Sequence, residues 1–316
     1  MDNLTHSLAG ALLGQAGLKK KTGLAMPALI IGANIPDLDA ACLFWVEGVE
    51  HLAIRRGITH GPPAMVLLPL ILAGLLWGFD RWQEKRGKRP EGRLPVNFKW
   101  LYLLSFLGTL THPALDWLNV YGIRLLEPFS SEWFYGDTLF IIDVWLWALM
   151  GFATWFSLRR EKRGGEWKRP ARVAIAVALA YIGMNGAITY YKETMARGEA
   201  PYAPVAIAAP IPLSFWEREI IVGGDWSWAS TQWAGGEQTW LYRRPNATVC
   251  AKPSKDELAS GGLQSRAFLF WSRAPFAERA PDGSVLLRDA RFYDPRARDR
   301  FSVALPEVKC EELPAG

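Results

Sequence analysis

Three of the chain's four histidines, His6, His60 and His112, and five aspartates, Asp37, Asp39, Asp116, Asp137 and Asp143, sit inside or at the ends of apolar runs. Ionisable groups at membrane depth are costly and mark functional sites by default. Neutral imidazole combined with carboxylate suits Zn, Mn or Fe, and such a site lowers the pKa of bound water towards neutrality. His112 and Asp116 are four residues apart and share one helix face. Asp37 and Asp39 follow Pro36, which is expected to interrupt the helix and turn both carboxylates towards a polar cavity. In an unbroken helix the two would point to different sides. His60 directly precedes an apolar run, His6 lies early in the first helix, and Asp137 and Asp143 flank the start of another. Each residue also has a plainer reading. A lone His near a helix end is usually a cap, Asp143 can favour a helix N-terminus through the dipole, and Asp137 can be a solvated loop acid. Arg55 and Arg56 either snorkel or supply one bidentate clamp for an anionic substrate. His51 reads as a surface residue.

The elements that hold these residues are apolar enough to suggest lipid. The chain has 316 residues, is 50% hydrophobic and carries 16 Trp. A crossing helix needs about 20 apolar residues. Uncharged stretches run over 62–79 and 173–191, with similar ones over 100–115 and 144–158. The stretch 24–46 is apolar apart from Asp37 and Asp39, and 4–18 is shorter, which suits a re-entrant or interfacial helix. We therefore expect about five to six membrane-associated helices. A removable signal peptide is not expected, because the start lacks a basic region and a small-residue cleavage site. Basic residues cluster at Lys19 to Lys21, over 80–99 and over 159–172. The positive-inside rule makes these cytoplasmic. The histidines, the aspartates and everything after 191 then lie outside. The net charge of +5 follows from this topology and not from nucleic acid, since no aromatic and basic binding motif accompanies it.

From 192 to 316 the pattern changes. Short runs at 219–222, 239–242, 267–271, 285–287 and 301–305 are separated by Gly, Pro and Asp-Gly turns, which suggests a small antiparallel β domain. Asp282-Gly283 is the clearest hairpin signal. Pro201, Pro204, Pro210 and Pro212 make the entry a semi-rigid linker. Cys250 and Cys310 both fall in this segment and suit a disulfide in an oxidising compartment, whereas Cys42 reads as a buried thiol. The fold class is thus a mainly α polytopic membrane domain over 1–191 followed by a β-rich extracytoplasmic domain over 192–316.

The pieces Asp2-Asn3-Leu4-Thr5-His6, Ile35-Pro36-Asp37-Leu38-Asp39, Arg56-Gly57-Ile58-Thr59-His60 and His112-Pro113-Ala114-Leu115-Asp116 occur in order. They continue through Tyr121-Gly122, Pro128-Phe129 and Ile141-Ile142-Asp143. In this ordered set the chain resembles the YdjM-type family of bacterial inner-membrane proteins, described as membrane-bound metal-dependent hydrolases. The resemblance covers the first half well and the tail loosely. That family is similar, distantly, to zinc-dependent phospholipases C. The ligands this implies are His6, Asp37 or Asp39, His60, His112 and Asp116. Arg55 stands where the family often has His, and no His-x-x-x-Glu pair follows Asp116, so one or two divalent ions, Zn foremost, are implied with Asp137 or Asp143 assisting. The functional expectation is a hydrolase at the outer face of the inner membrane, with Asp39 or Asp143 as general base and Arg56 near the substrate, a lipid or lipid-linked phosphoester. Trp133, Phe134 and Tyr135 are expected at the interface. The other class is a non-catalytic transporter, assembly factor or structural metal site. A transporter would show inverted repeats and midplane polar groups, and no repeat is visible. Oligomeric state is not legible.

Overall fold

The computed structural model describes residues 1–234, 237–240, 249–294 and 297–311. The chain divides into two compact units, one of Met1–Asp39 with Arg56–Gly186 and one of Ala40–Arg55 with Ala187–Gly316.

The first unit is helical. Helix α1 (Asn3–Gln15) starts where Asp2 accepts hydrogen bonds from the backbone N–H groups of Leu4 and Thr5, at 2.9 and 3.1 Å. Helix α2 (Ala25–Gly32) is followed by a 3-10 segment, Ile35–Phe44, bent from it by 51°. The break falls at Asn34 and Pro36, as the proline requires. A short helix α3 (His51–Ile54) belongs to the second unit. Helix α4 (Pro62–Lys85) opens on two prolines, whose missing N–H groups cost nothing in a first turn. Asn97 caps α5 (Phe98–Trp117) and Asp143 caps α6 (Val144–Lys162). Helix α7 (Lys168–Glu199) continues past 191, the end of its apolar run, because Lys, Glu, Met, Ala and Arg in its last two turns are good helix formers.

Helices α1, α2 and α5 meet backbone to backbone. A Cβ on Gly10 of α1 or on Gly108 of α5 would each come within 2.6 Å of the Leu29 carbonyl oxygen on α2. Small residues allow such approach where helices associate without a hydrophobic drive from water. This contact sets His6, Asp37 and His112 on converging elements. The basic loops gather elsewhere in the unit. Lys19 pairs with Glu161 and lies 4.4 Å over the Trp167 ring, and the Gly23 N–H donates to the Pro95 carbonyl at 3.1 Å.

Two helices, α4 and α7, are long and apolar enough to cross a membrane, and the bent pair of α2 with its 3-10 segment makes a third if it is one span. The other helices in the expected count of five to six fall short of that standard. At 20 and 19 residues, α5 and α6 would still reach about 30 Å, but α5 carries Lys99, His112 and Asp116, and α6 ends in Arg159, Arg160, Glu161 and Lys162.

The second unit holds two antiparallel sheets. Strands β1 (Val205–Pro210), β2 (Arg218–Gly224), β3 (Ser227–Ala234) and β4 (Glu237–Trp240) pair in sequence order, as do β5 (Pro275–Arg279), β6 (Ser284–Asp289) and β7 (Val303–Lys309). Helices α8 (Lys255–Ser260) and α9 (Gly262–Trp271) precede the second sheet. Asp282-Gly283 does turn β5 into β6, with Gly283 at φ +82°. Cys250 and Cys310 are disulfide-bonded, and Cys42 is a buried thiol. Three expectations need correction. The run 267–271 is helical, the end of α9, with Ala267, Phe268 and Trp271 buried at helical spacing. A short apolar run fits a buried helix as well as a strand. The proline-rich entry contains β1, an edge strand whose Pro210 ends the pairing opposite Arg218, a position that tolerates the missing donor. Phe301 lies in a 3-10 turn stacked on Trp271, with ring centroids 5.2 Å apart, and β7 begins after it. Thr239 and Trp240 are in β4, and the remainder of 239–242 lies outside the described residues.

Candidate metal centre

The buried face of α5 reads Leu101, Leu104, Ser105, Gly108, Thr109, His112, Pro113, Asp116, the three-and-four spacing of a helix stripe. Its two ionisable members, His112 and Asp116, are fully enclosed. His112 Nδ1 lies 2.7 Å from the carbonyl oxygen of Ala33, at the end of α2. A carbonyl can only accept, so Nδ1 carries the proton and the lone pair is on Nε2. Nε2 is 3.8 Å from Asp37 Oδ1 and 3.7 Å from Asp116 Oδ2. Among the described residues it has no hydrogen-bond partner. Buried polar atoms are rarely left so, and an orphaned imidazole nitrogen fixed through its other nitrogen is the arrangement metal-binding histidines show.

The neighbouring groups converge on it. The His6 ring stacks on that of His112, with centroids 3.8 Å apart and planes at 16°, and its Nε2 is 3.3 Å from Asp116 Oδ1. His60 presents Nε2 to Asp116 Oδ2 at 3.7 Å, while its Nδ1 faces Thr59 Oγ1 at 2.9 Å and Asp39 Oδ2 at 3.5 Å. Two sets result, His6 with Asp37 and His112, and His60 with His112 and Asp116, each offering ligand atoms within 4.8 Å of one another. Ligands around a tetrahedral zinc stand about 3.4 Å apart, so side-chain shifts of up to about 1.4 Å would close either set. His112 has one available lone pair and serves one set at a time. The donor chemistry fits a divalent ion. The Met1 nitrogen lies against Asp116, and the Arg56 guanidinium pairs with the same carboxylate.

Arg56 is committed within the site. Its Nε is 2.9 Å from Asp116 Oδ2, Nη1 donates to Asn119 Oδ1 at 2.9 Å and to the Gly122 carbonyl at 3.2 Å, and the guanidinium lies 4.5 Å from the Tyr121 ring centroid. Its backbone, at φ +54°, donates N–H to Asp39 Oδ2 at 2.7 Å, and Thr59 Oγ1 donates to the same oxygen at 3.1 Å. Asp39 thus ties the Arg56 and His60 segment together behind the histidines.

Asp137 and Asp143 fall in neither set. Asp137 is buried at φ +48° in the segment where the N–H groups of Thr138 and Leu139 donate to the Leu118 carbonyl. Asp143 caps α6, accepting from the Leu146 N–H at 2.9 Å and from the Tyr181 hydroxyl at 3.0 Å. Arg55 and His51 belong to the second unit. Trp133, Phe134 and Tyr135, expected at the interface, are each half-buried. Trp133 packs against Tyr121 and beneath Arg124, whose guanidinium is 5.1 Å from the ring centroid, Phe134 pairs with Ile123 through the backbone, and Tyr135 closes on Gly122. Sequence reading missed Thr59, Asn119, Tyr121 and the Ala33 carbonyl. Only the first three carried a signal, as polar neighbours of His60 and Asp116.

Comparison with known proteins agrees with this region. Residues 1–191 match the family model described as YdjM inner membrane protein. "Uncharacterized protein YfhP" of Bacillus subtilis (strain 168) is 27% identical over 167 residues, which is 50% of this chain and 47% of that protein. The chain therefore spans about half the length of this curated relative. No solved structure matches. His6, Asp37, Asp39, Arg56, His60, His112 and Asp116 all fall inside the matched residues, and with more than half of its length so matched, the chain belongs to the YdjM inner membrane protein family.

Proposed function

We propose that the chain is a membrane-embedded, metal-dependent hydrolase of phosphoesters, acting on a lipid or lipid-linked substrate at the outer face of the inner membrane. The observation that carries this reading is His112 Nε2, buried, aimed at two carboxylates and without a hydrogen-bond partner among the described residues. His6, Asp37, His60, His112 and Asp116 would hold one or two ions, zinc foremost. Bound there, the metal would supply Lewis-acid polarisation and acidify a water. The residues around it do the rest. Ala33 and Thr59 set the tautomers of His112 and His60, and Arg56 holds Asp116 in place. Asp39, in neither ligand set, is the carboxylate nearest His60 Nδ1 and takes the general-base role. Asp143, spent on capping, is the weaker candidate. Hydrolysis would add water to phosphorus and break the P–O bond to the leaving alcohol.

The accompanying topology has the basic loops in the cytoplasm, α5 and α6 crossing beside α4 and α7, and a separate extracytoplasmic domain over 192–316. Pairing of Lys19 with Glu161, in the last turn of α6, supports a common side for the first and last of these clusters. A second reading has one observation behind it: His6, His112 and Asp116 are all within 1% of complete burial, as in a closed structural metal site. Turnover separates the two. Zinc-loaded protein should release inorganic phosphate or a phosphorylated head group from phospholipids or lipid-linked phosphates, and His112→Ala or Asp116→Ala should lose it while remaining folded. Full metal content with no turnover across such a panel would favour the structural site.

A further inference from the structure

The polarity around the site is inverted relative to a protein in water. In the 3-10 segment Ile35–Phe44, the side chains of Asp37 and Asp39 are 9% and 4% exposed, whereas Leu38 between them is 60% exposed. In Ile58–His60 the imidazole is buried and Ile58 is 63% exposed. The third stretch touching the site behaves alike. Arg124 is buried, its N–H donating to the Arg56 carbonyl at 3.0 Å, while Phe129 is 78% exposed. The backbone of Glu127, two residues before Phe129, closes on Gly61 beside His60. Three segments that build one polar centre each turn an apolar side chain outward next to it. Large exposed apolar groups are unfavourable against water and gather where another medium covers them.

That medium is identified by what the surface joins. Ile58 lies four residues ahead of α4, a helix long and apolar enough to cross a membrane. The outward face of α4 begins with Val66, Leu67, Leu70 and Ile71, all exposed. Their spacing puts them on one stripe, the lipid-facing side of a crossing helix. Leu38 lies in the bent pair that forms the other candidate span at this end. The exposed residues at the site thus continue a lipid-covered face. We propose that Leu38, Ile58 and Phe129 form an apolar rim set in the bilayer's head-group and upper acyl layer, and that the centre takes an amphiphile directly from the bilayer. Its anionic head would reach the histidines and aspartates, and its chains would stay against the rim. The substrate part of this proposal rests on the hydrolase reading above, whereas the placement of the rim does not.

Spin labelling of the full chain in vesicles of phosphatidylethanolamine and phosphatidylglycerol tests the placement. Labels at Leu38→Cys, Ile58→Cys and Phe129→Cys, in a Cys42→Ala background, should relax more with oxygen than with a water-soluble nickel chelate, and a label at Glu132→Cys, an exposed loop position, should do the reverse. Nickel-dominated relaxation at all three rim positions overturns the rim. Turnover tests the substrate class. Ile58→Glu and Phe129→Glu, each with wild-type zinc content, should lower hydrolysis of vesicle phospholipid at least about tenfold and change that of para-nitrophenyl phosphate by less than about twofold. Equal effects on both substrates, or none on either, overturn direct uptake from the bilayer. Absence of any phosphoester turnover by the wild type, with the labels still in lipid, defeats the hydrolase reading and with it the amphiphile, and leaves the rim standing.

Discussion

Replacing Arg56 with Met removes the side-chain guanidinium that pairs with buried Asp116 while keeping most of the side-chain volume. The lost contacts are the 2.9 Å pair with Asp116, the bonds to Asn119 and the Gly122 carbonyl, and the stack on Tyr121. Breaking one side of a buried ion pair costs about 3–5 kcal/mol when the remaining charge is left unpaired; Asp116 keeps the Met1 nitrogen and His6 against it, which puts the cost at the lower end, about 3 kcal/mol. At roughly 2–4 °C per kcal/mol this lowers the melting temperature by roughly 6–12 °C. A divalent ion on Asp116 would neutralise that same carboxylate, so the penalty should shrink when metal is present. By linkage, metal must then stabilise the variant more than the wild type. The assay is thermal unfolding in detergent, with zinc and after chelation, for both proteins. The metal-dependent rise in melting temperature should be larger for Arg56→Met by several degrees. If it is the same or smaller in the variant, Arg56 and the ion do not share Asp116 and the proposed geometry is wrong.

Thr59→Val removes the hydroxyl between His60 Nδ1 and Asp39; zinc affinity should fall roughly 10- to 100-fold, read by competition with a chelating dye, and unchanged affinity would separate His60 from the centre. In the second unit, Asp289 and Arg291 pair at 2.7 Å with both side chains fully buried, so Asp289→Asn should cost about 3–5 kcal/mol in unfolding experiments and leave zinc content unaltered. Burial acts to raise the Asp289 carboxyl, but the Arg291 guanidinium and the Ser272 hydroxyl outweigh it and hold it below the ordinary range. Its stabilisation is therefore full above about pH 4, the unfolded value, and is lost as pH falls through the depressed folded one. Acid unfolding of Asp289→Asn should lack that component, and an identical acid limb would refute the assignment. Reducing Cys250–Cys310, which are 60 residues apart, should destabilise by about 4 kcal/mol on the chain-entropy account; unaltered unfolding with both thiols labelled would contradict it.

Residue type and local spacing made much of this legible. The pair His112 and Asp116 shares a face in any helix, and Pro36 must break the one before Asp37, so both features survive into the structure. Apolar runs set the helices, and Asp282-Gly283 set a hairpin. What escaped depends on partners distant in sequence. Nothing in Ala33 announces a carbonyl that fixes His112, because the group is common to every residue. Arg56 reads as a substrate clamp until Asp116, 60 positions later in the chain, is found against it. By sequence Asp143 could be general base, metal helper or cap, and its bonds from the Leu146 N–H and the Tyr181 hydroxyl are those of a cap. The exposed apolar positions Leu38 and Ile58 escaped because they are single residues inside polar motifs.

Elemental analysis of the purified full-length protein beside its His112→Ala variant tests the central claim most directly. After growth with ample zinc and removal of loosely held metal, the wild type should retain about one to two equivalents of zinc, and the variant, still folded by circular dichroism, should lose most of it. A wild type that retains no divalent metal and takes up none on titration, or a variant that retains as much as the wild type, would contradict the account.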